Sequence, residues 1–220
     1  MGNWIRLQTS DSHELDAYRA DPAGKPLGGV VIVQEIFGVT GHIRQVADGY
    51  AARGYVAIAP ALFDRSTPRT ELAYSDVAAG KDAQSKVTPQ MALADIAASV
   101  AALRPAGKVA VIGYCWGGTL AYFAACKLDI GCAISYYGGM IAKLGTEKPV
   151  HPVLYHIGDR DMHISKDDVA AIRRLDPDGV VHVYGGAGHG FNCNERADHH
   201  PANAALALDR SIEFLRTHLA

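Results

Sequence analysis

KVAVIGYCWGG, Lys108 to Gly118, is the stretch that decides the fold. Its first half is β-branched and apolar on both faces, which marks a strand buried from both sides. Gly113-Tyr114-Cys115-Trp116-Gly117-Gly118 follows and leads into a helix-like segment. This is the nucleophile elbow G-x-Nu-x-G with cysteine at the nucleophile position. A strand-to-helix turn that lifts one side chain above a sheet strains that residue's backbone, so its near neighbours must lack bulk. Gly113, Gly117 and Gly118 meet that need. The turn also sets Cys115 at a helix N-terminus, where free N–H groups and the helix dipole favour a thiolate and a developing oxyanion. The opposing reading is a buried structural cysteine beside a packing glycine pair. That reading is adopted for Cys126, Cys132 and Cys193; the strand, glycine and helix context assigns Cys115 to function.

Outward from this stretch, short apolar runs alternate with longer amphipathic ones. Strands are predicted at Val30–Glu35, Tyr55–Pro60, Lys108–Tyr114, Gly131–Tyr137, Val153–Gly158 and Val180–Tyr184. Two more polar candidates, Ile5–Thr9 and Leu15–Arg19, suit an antiparallel edge. Helices are predicted at His42–Arg53, Pro89–Leu103, Gly117–Lys127, Lys166–Leu175 and Pro201–Leu219, with Pro89 and Pro201 in first turns, where a missing N–H costs nothing. Continuous apolar strands joined by helices predict an α/β fold: a mostly parallel sheet of about eight strands with helices on both faces. Residues 61–87 and 140–152 read as irregular, loops or a lid within one domain spanning 1–220, because the strand pattern resumes on either side.

Composition narrows the classes. The 220 residues are 49% apolar and 20% charged with a formal net charge of −2, a globular balance without a basic stripe. Nucleic acid and membrane surfaces are therefore not expected as partners. The N-terminal MGNWIRLQTSDSHEL lacks the apolar core of a signal peptide, and four cysteines in neither zinc-like nor disulfide-dense spacing suit reduced thiols; a cytoplasmic location is expected.

A thiol nucleophile needs a base, and the base an orienting acid. Two late strand ends offer them. VLYHIGDRD, Val153–Asp161, runs into a polar turn, and VVHVYGGAGHGF, Val180–Phe191, ends in a glycine-rich loop bearing His189. The order nucleophile, acid, histidine fits Cys115, then Asp161 or Asp159, then His189. His156 reads as a packed strand residue, and the adjacent His199 and His200 do not make a metal site. No metal or cofactor is expected.

With these residues in place, the chain resembles the dienelactone hydrolase (carboxymethylenebutenolidase) family of the α/β-hydrolase superfamily. The likeness spans nearly the whole length through VIVQEIFGV (Val31–Val39), RGYVAIAPALF (Arg53–Phe63), GYCWGG, SYYG (Ser135–Gly138) and GHGF (Gly188–Phe191). The resemblance implies hydrolysis of a lactone or carboxylic ester, dienelactone or a related small molecule, by Cys115, His189 and Asp161, with Asp161 favoured over Asp159. It implies that Glu35 holds the resting thiol and promotes its ionisation when substrate binds; otherwise Glu35 is a salt-bridged strand-end residue. The N–H groups of Ile36 and Trp116 match the family's oxyanion hole. Tyr136 matches an active-site tyrosine, although a core role suits it nearly as well, and Phe37 and Phe191 join it as candidate substrate contacts. The family's best-known members hold a substrate carboxylate with two arginines. Here the corresponding places show no clear arginine: Lys81 and Lys86 stand in one loop, and Gly190-Phe191-Asn192-Cys193 precedes Arg196 in the other. A lysine supplies charge without a bidentate fork. A monomer or small homo-oligomer acting on a small lactone or ester is expected. The rival readings are a non-hydrolytic ligand-binding relative and a thiol redox protein, the latter lacking a resolving cysteine nearby in sequence.

Overall fold

The computed structural model describes residues 1–220. Five strands are buried along their whole length: β3 (Gly28–Val33), β4 (Tyr55–Pro60), β5 (Val109–Tyr114), β6 (Cys132–Tyr136) and β7 (Val153–Gly158). All five pair in parallel, as continuous apolar sequence requires. β1 (Asn3–Gln8) and β2 (Glu14–Ala20) form an antiparallel edge, joined to β4 through β2. β8 (Val180–Tyr184) closes the other side in parallel with β7. The eight strands run in the order 1-2-4-3-5-6-7-8.

Helices α1 (Gly41–Ala51), α2 (Val77–Ser85), α3 (Pro89–Leu103), α4 (Trp116–Lys127), α5 (Ile141–Leu144), α6 (Lys166–Leu175) and α7 (Pro201–Leu219) cover the sheet. α3 and α4 pack together on one face, and α1 and α7 border a common cleft on the other. Local sequence sets their starts. Thr40 and Thr88 cap α1 and α3, and Ser165 with Asp168 forms a capping box on α6. No helix is long and apolar enough to cross a membrane.

The irregular segments predicted from sequence contain structure. Residues 61–87 hold a 3-10 turn at Leu62–Arg65 and the helix α2, whose cap Asp76 accepts from the Ala79 N–H; residues 140–152 hold α5. Small and charged residues on a short helix leave little hydrophobic period to read, which is why α2 escapes a pattern search. The 3-10 turn is pinned by Arg65, which bonds both Asp95 and Asp11.

β3 lies between β4 and β5, so the chain leaves β3 in one direction and returns on its other side. The carboxyl ends of β3 and β5 therefore meet at a topological switch point, where open α/β sheets place ligands. Cys115 follows the end of β5 directly, and Glu35 lies two residues beyond the end of β3.

Candidate active site

Cys115 joins β5 to α4 with φ +54° and ψ −114°, a conformation an L-residue reaches only at a cost of about 1–3 kcal/mol. Packing enforces it. A Cβ on Gly113 would sit 1.8 Å from the Gly117 carbonyl oxygen, and one on Gly117 would sit 2.4 Å from that of Val33. The elbow thus closes on itself and presses the first turn of α4 against the end of β3. The N–H of Trp116 begins α4 and has no intrahelical acceptor.

The thiol meets the loop after β8. His189 Nε2 lies 3.1 Å from Cys115 Sγ, and its Nδ1 lies 2.8 Å from Asp161 Oδ2. Asp161 is buried, and its other oxygen accepts the His163 N–H at 2.8 Å. Asp159 turns elsewhere and accepts the Gly186 N–H at 2.7 Å. Burial alone would lower the basicity of His189, but its hydrogen bonds to Asp161 and Cys115 outweigh that and push its pKa up to about 10. An imidazolium is thereby stabilised beside the sulfur.

Glu35 is 1% exposed, and burial raises its pKa against the pull of Arg196, whose Nη1 lies 3.3 Å from Oε1. Oε2 has no partner. In this state the thiol is held by His189 and the glutamate by Arg196; no hydrogen bond joins Glu35 to Cys115. The loop after His189 therefore does deliver an arginine to the site, seven positions beyond the histidine. Arg196 also lies over the Phe37 ring, 5.9 Å from its centroid.

The remaining sequence candidates divide. Trp116 stacks on Phe63 and lines the elbow. Lys81, on α2, is near enough for its charge to act on His163, and Gly80 beside it packs on the Ile36 carbonyl. Lys86, at the far end of the helix, pairs with Asp82 at 2.7 Å. Tyr136 points away: its hydroxyl bonds Ser211 Oγ at 2.7 Å and its ring stacks on Tyr114. Phe191 is fully buried among Tyr137, Tyr184 and Tyr136.

Side-chain alternation gives the adjacent residue what Tyr136 lacks. Tyr137, at φ +41°, sets its ring edge-on to His189 with centroids 5.1 Å apart, and its buried hydroxyl has no partner. His163 meets His189 from the solvent side at 4.7 Å. Sequence reasoning singled out neither. The YY pair in SYYG was the available signal for Tyr137, but only the backbone reversal after β6 shows which ring faces the histidine. No group of three or more His, Cys, Asp or Glu side chains converges as a metal site.

A sequence model of the dienelactone hydrolase family matches residues 15–219. The carboxymethylenebutenolidases of Pseudomonas putida and Pseudomonas knackmussii are each 32% identical over 96% of this chain and 94% of their own. A crystal structure from Klebsiella pneumoniae that bears the dienelactone hydrolase name superposes with a TM-score of 0.82 at 30% identity, covering 96% of this chain and 98% of that one. A dienelactone hydrolase-like promiscuous phosphotriesterase from metagenomic libraries shares the fold with a TM-score of 0.82 at 19% identity, over 100% and 99% of the two chains.

Proposed function

This chain belongs to the dienelactone hydrolase family and is a hydrolase of lactone or ester type, and we propose that it works through a Cys115–His189–Asp161 triad on small lactones or esters that carry a carboxylate. The observation that carries the reading is the continuous relay from Sγ through the imidazole to a buried carboxylate, 3.1 and 2.8 Å, at the mouth of a glycine-built elbow.

Cys115 as thiolate attacks the substrate carbonyl carbon, and the carbonyl oxygen becomes an oxyanion held by the N–H groups of Ile36 and Trp116. The imidazolium of His189 then passes its proton to the leaving oxygen as the carbon–oxygen bond breaks, leaving a thioester on Cys115 and, for a lactone, a hydroxyl still tethered to the acyl chain. His189 next takes a proton from water, the hydroxide attacks the thioester, and the acid and thiol are released. Asp161 keeps the tautomer and orientation of the ring throughout.

Charge supports the substrate class. Arg196 places a guanidinium close enough for its charge to act on Cys115, and in the resting site it is paired with Glu35. A substrate carboxylate would compete for Arg196 and leave Glu35 unpaired in a buried site, where the carboxylate gains by taking a proton. We assign that proton to Cys115, whose ionisation the attack requires. Lys81 adds positive charge on the rim.

Cys115→Ala is expected to lower turnover of p-nitrophenyl acetate by at least about 10³-fold while circular dichroism and melting stay as in the parent. Near-normal turnover in that variant overturns the assignment. A screen of dienelactone, plain lactones and esters of neutral and anionic acids tests the class, and indifference to substrate charge would remove Arg196 from the reading.

A further inference from the structure

The segment before α2 crosses the chain that leaves β3. Gly38 pairs with Glu71 as an isolated antiparallel bridge, and the Leu72 N–H donates to the Phe37 carbonyl at 2.9 Å. The crossing carries Tyr74 onto the Phe37 ring, with centroids 4.8 Å apart, where it is half-buried. Its hydroxyl meets Thr40 Oγ1 at 2.9 Å, and that same Thr40 oxygen caps α1 by accepting the Ile43 N–H at 3.4 Å. Neither the sequence pattern nor the hydrolytic steps above give Tyr74 a role.

Glu35 is the carboxyl that this hydroxyl reaches. Burial raises the Glu35 pKa, and Arg196, His189 and a hydrogen bond from Tyr74 pull it back. Arg196 occupies Oε1, while Oε2 has no partner in the resting site. The other groups near this carboxyl are Tyr137 and Cys193, both kept protonated by burial, and the Tyr137 hydroxyl makes no bond.

Proton positions then follow from donor and acceptor chemistry. Burial and the Glu35 charge raise the Tyr74 pKa far above its ordinary value, so the phenol keeps its hydrogen. Thr40 Oγ1 accepts from Ile43 and has one hydrogen to give, and giving it to the Tyr74 oxygen frees the phenolic hydrogen. The acceptors in its reach are the Glu35 carboxylate and the Cys193 sulfur, and a carboxylate is far the stronger. Ile43 N–H, Thr40 hydroxyl and Tyr74 hydroxyl thus run donor to acceptor from the start of α1 to Glu35, each polarising the next.

We propose that Tyr74 is a positioning residue for Glu35: held by Thr40, its hydroxyl donates to the buried carboxylate and keeps it charged when Arg196 turns to a substrate carboxylate, a role that rests on the reading in which Glu35 takes the Cys115 proton. Without that donor Glu35 would take a proton from water at rest and could not accept the one on the thiol.

The full-length protein, isotope-labelled in its glutamate side chains, reports Glu35 through its carboxyl carbon resonance, assigned by its loss in Glu35→Gln. Tyr74→Phe removes one oxygen and keeps the ring on Phe37. In that variant the titration midpoint of Glu35 is expected to rise by at least about half a pH unit, a fraction of one hydrogen bond to a charged group. The acid limb of kcat/KM for an anionic activated ester should move upward by the same amount, because it reports the base that must be ionised in the free enzyme. Thr40→Ser keeps both the cap and the donor and should leave the midpoint in place. An unmoved midpoint in Tyr74→Phe, or an equal rise in Thr40→Ser, would overturn the proposal. A raised midpoint with an unmoved acid limb upholds the bond from Tyr74 to Glu35 and overturns the reading of Glu35 as the proton acceptor, so the two fail separately.

Discussion

Arg196 Nη1 lies 3.3 Å from Glu35 Oε1, a contact between residues 161 positions apart that ties the loop after His189 to the end of β3. Glu35 is wholly buried and Arg196 mostly so, and breaking such a pair by removing one partner is costlier than removing both.

Arg196→Met should therefore destabilise the fold by about 2 kcal/mol, below the range for a fully buried pair because the guanidinium keeps some solvent. Adding Glu35→Gln should restore part of the loss. Urea melts of the two single variants and the double variant close the cycle, and strict additivity would show that the pair is not coupled.

The two acids in GDRD make a direct comparison. Asp161→Asn should reduce kcat/KM by roughly 10²–10⁴-fold through loss of the correct histidine tautomer. Asp159→Asn keeps a carbonyl oxygen that can accept the Gly186 N–H and removes only the charge, and should leave kcat/KM within about threefold of the parent. Steady-state kinetics on one activated ester reads both.

Gly117→Ala probes the elbow. The added methyl would lie 2.4 and 2.6 Å from the Val33 and Gln34 carbonyl oxygens, which are backbone and have no rotamer to yield. A loss of about 3 kcal/mol or more in unfolding free energy is expected, with activity falling as the elbow is pushed away from the end of β3. Denaturant midpoints and ester turnover measured on the same preparation test the two effects together.

Tyr137→Phe removes a hydroxyl that is buried without a partner, so stability should stay level or rise by up to about 1 kcal/mol. A clear drop in melting temperature would mean that the hydroxyl is satisfied in solution. The same variant assayed on lactones and on simple esters reads whether that hydroxyl serves a substrate oxygen.

His156 governs acid sensitivity. It is fully buried between the Tyr184 hydroxyl and Ser211 Oγ, at 2.7 and 3.0 Å, and burial holds its pKa well below 6.5. A histidine depressed in the folded state contributes stability above its unfolded pKa and loses it as pH falls below about 6.5, because the unfolded chain then binds the extra proton. The slope expected from this group is up to about 1.4 kcal/mol per pH unit below that point. His156→Gln should flatten the acid limb of stability between pH 6.5 and 5, measured by urea midpoints at each pH. His189 has the opposite sign. Raised to about 10, it stabilises fully below 6.5 and loses that contribution as pH climbs toward 10.

Local pattern made much of this protein legible. The apolar runs that became β3 to β7, the proline-started α3 and α7, and the glycines around Cys115 each answer to constraints within a dozen residues of chain. α2 was missed because its small and charged residues carry little period. Tyr136 and Tyr137 show the limit of pattern from the other side. Neighbours in a strand point to opposite faces, and the positive φ at Tyr137 sends that ring to His189 while Tyr136 turns into the core.

By itself the sequence determined that a cysteine stands at a strand-to-helix turn with a histidine on a late loop, because steric demand and hydrophobic period are local and written in adjacent residues. Tertiary structure alone decided that Asp161 and not Asp159 meets His189, that Arg196 and not Cys115 meets Glu35, and that the Tyr74 hydroxyl meets Thr40. Those pairings depend on the paths of loops and the directions of side chains far apart in the chain, and packing, not spacing, sets both.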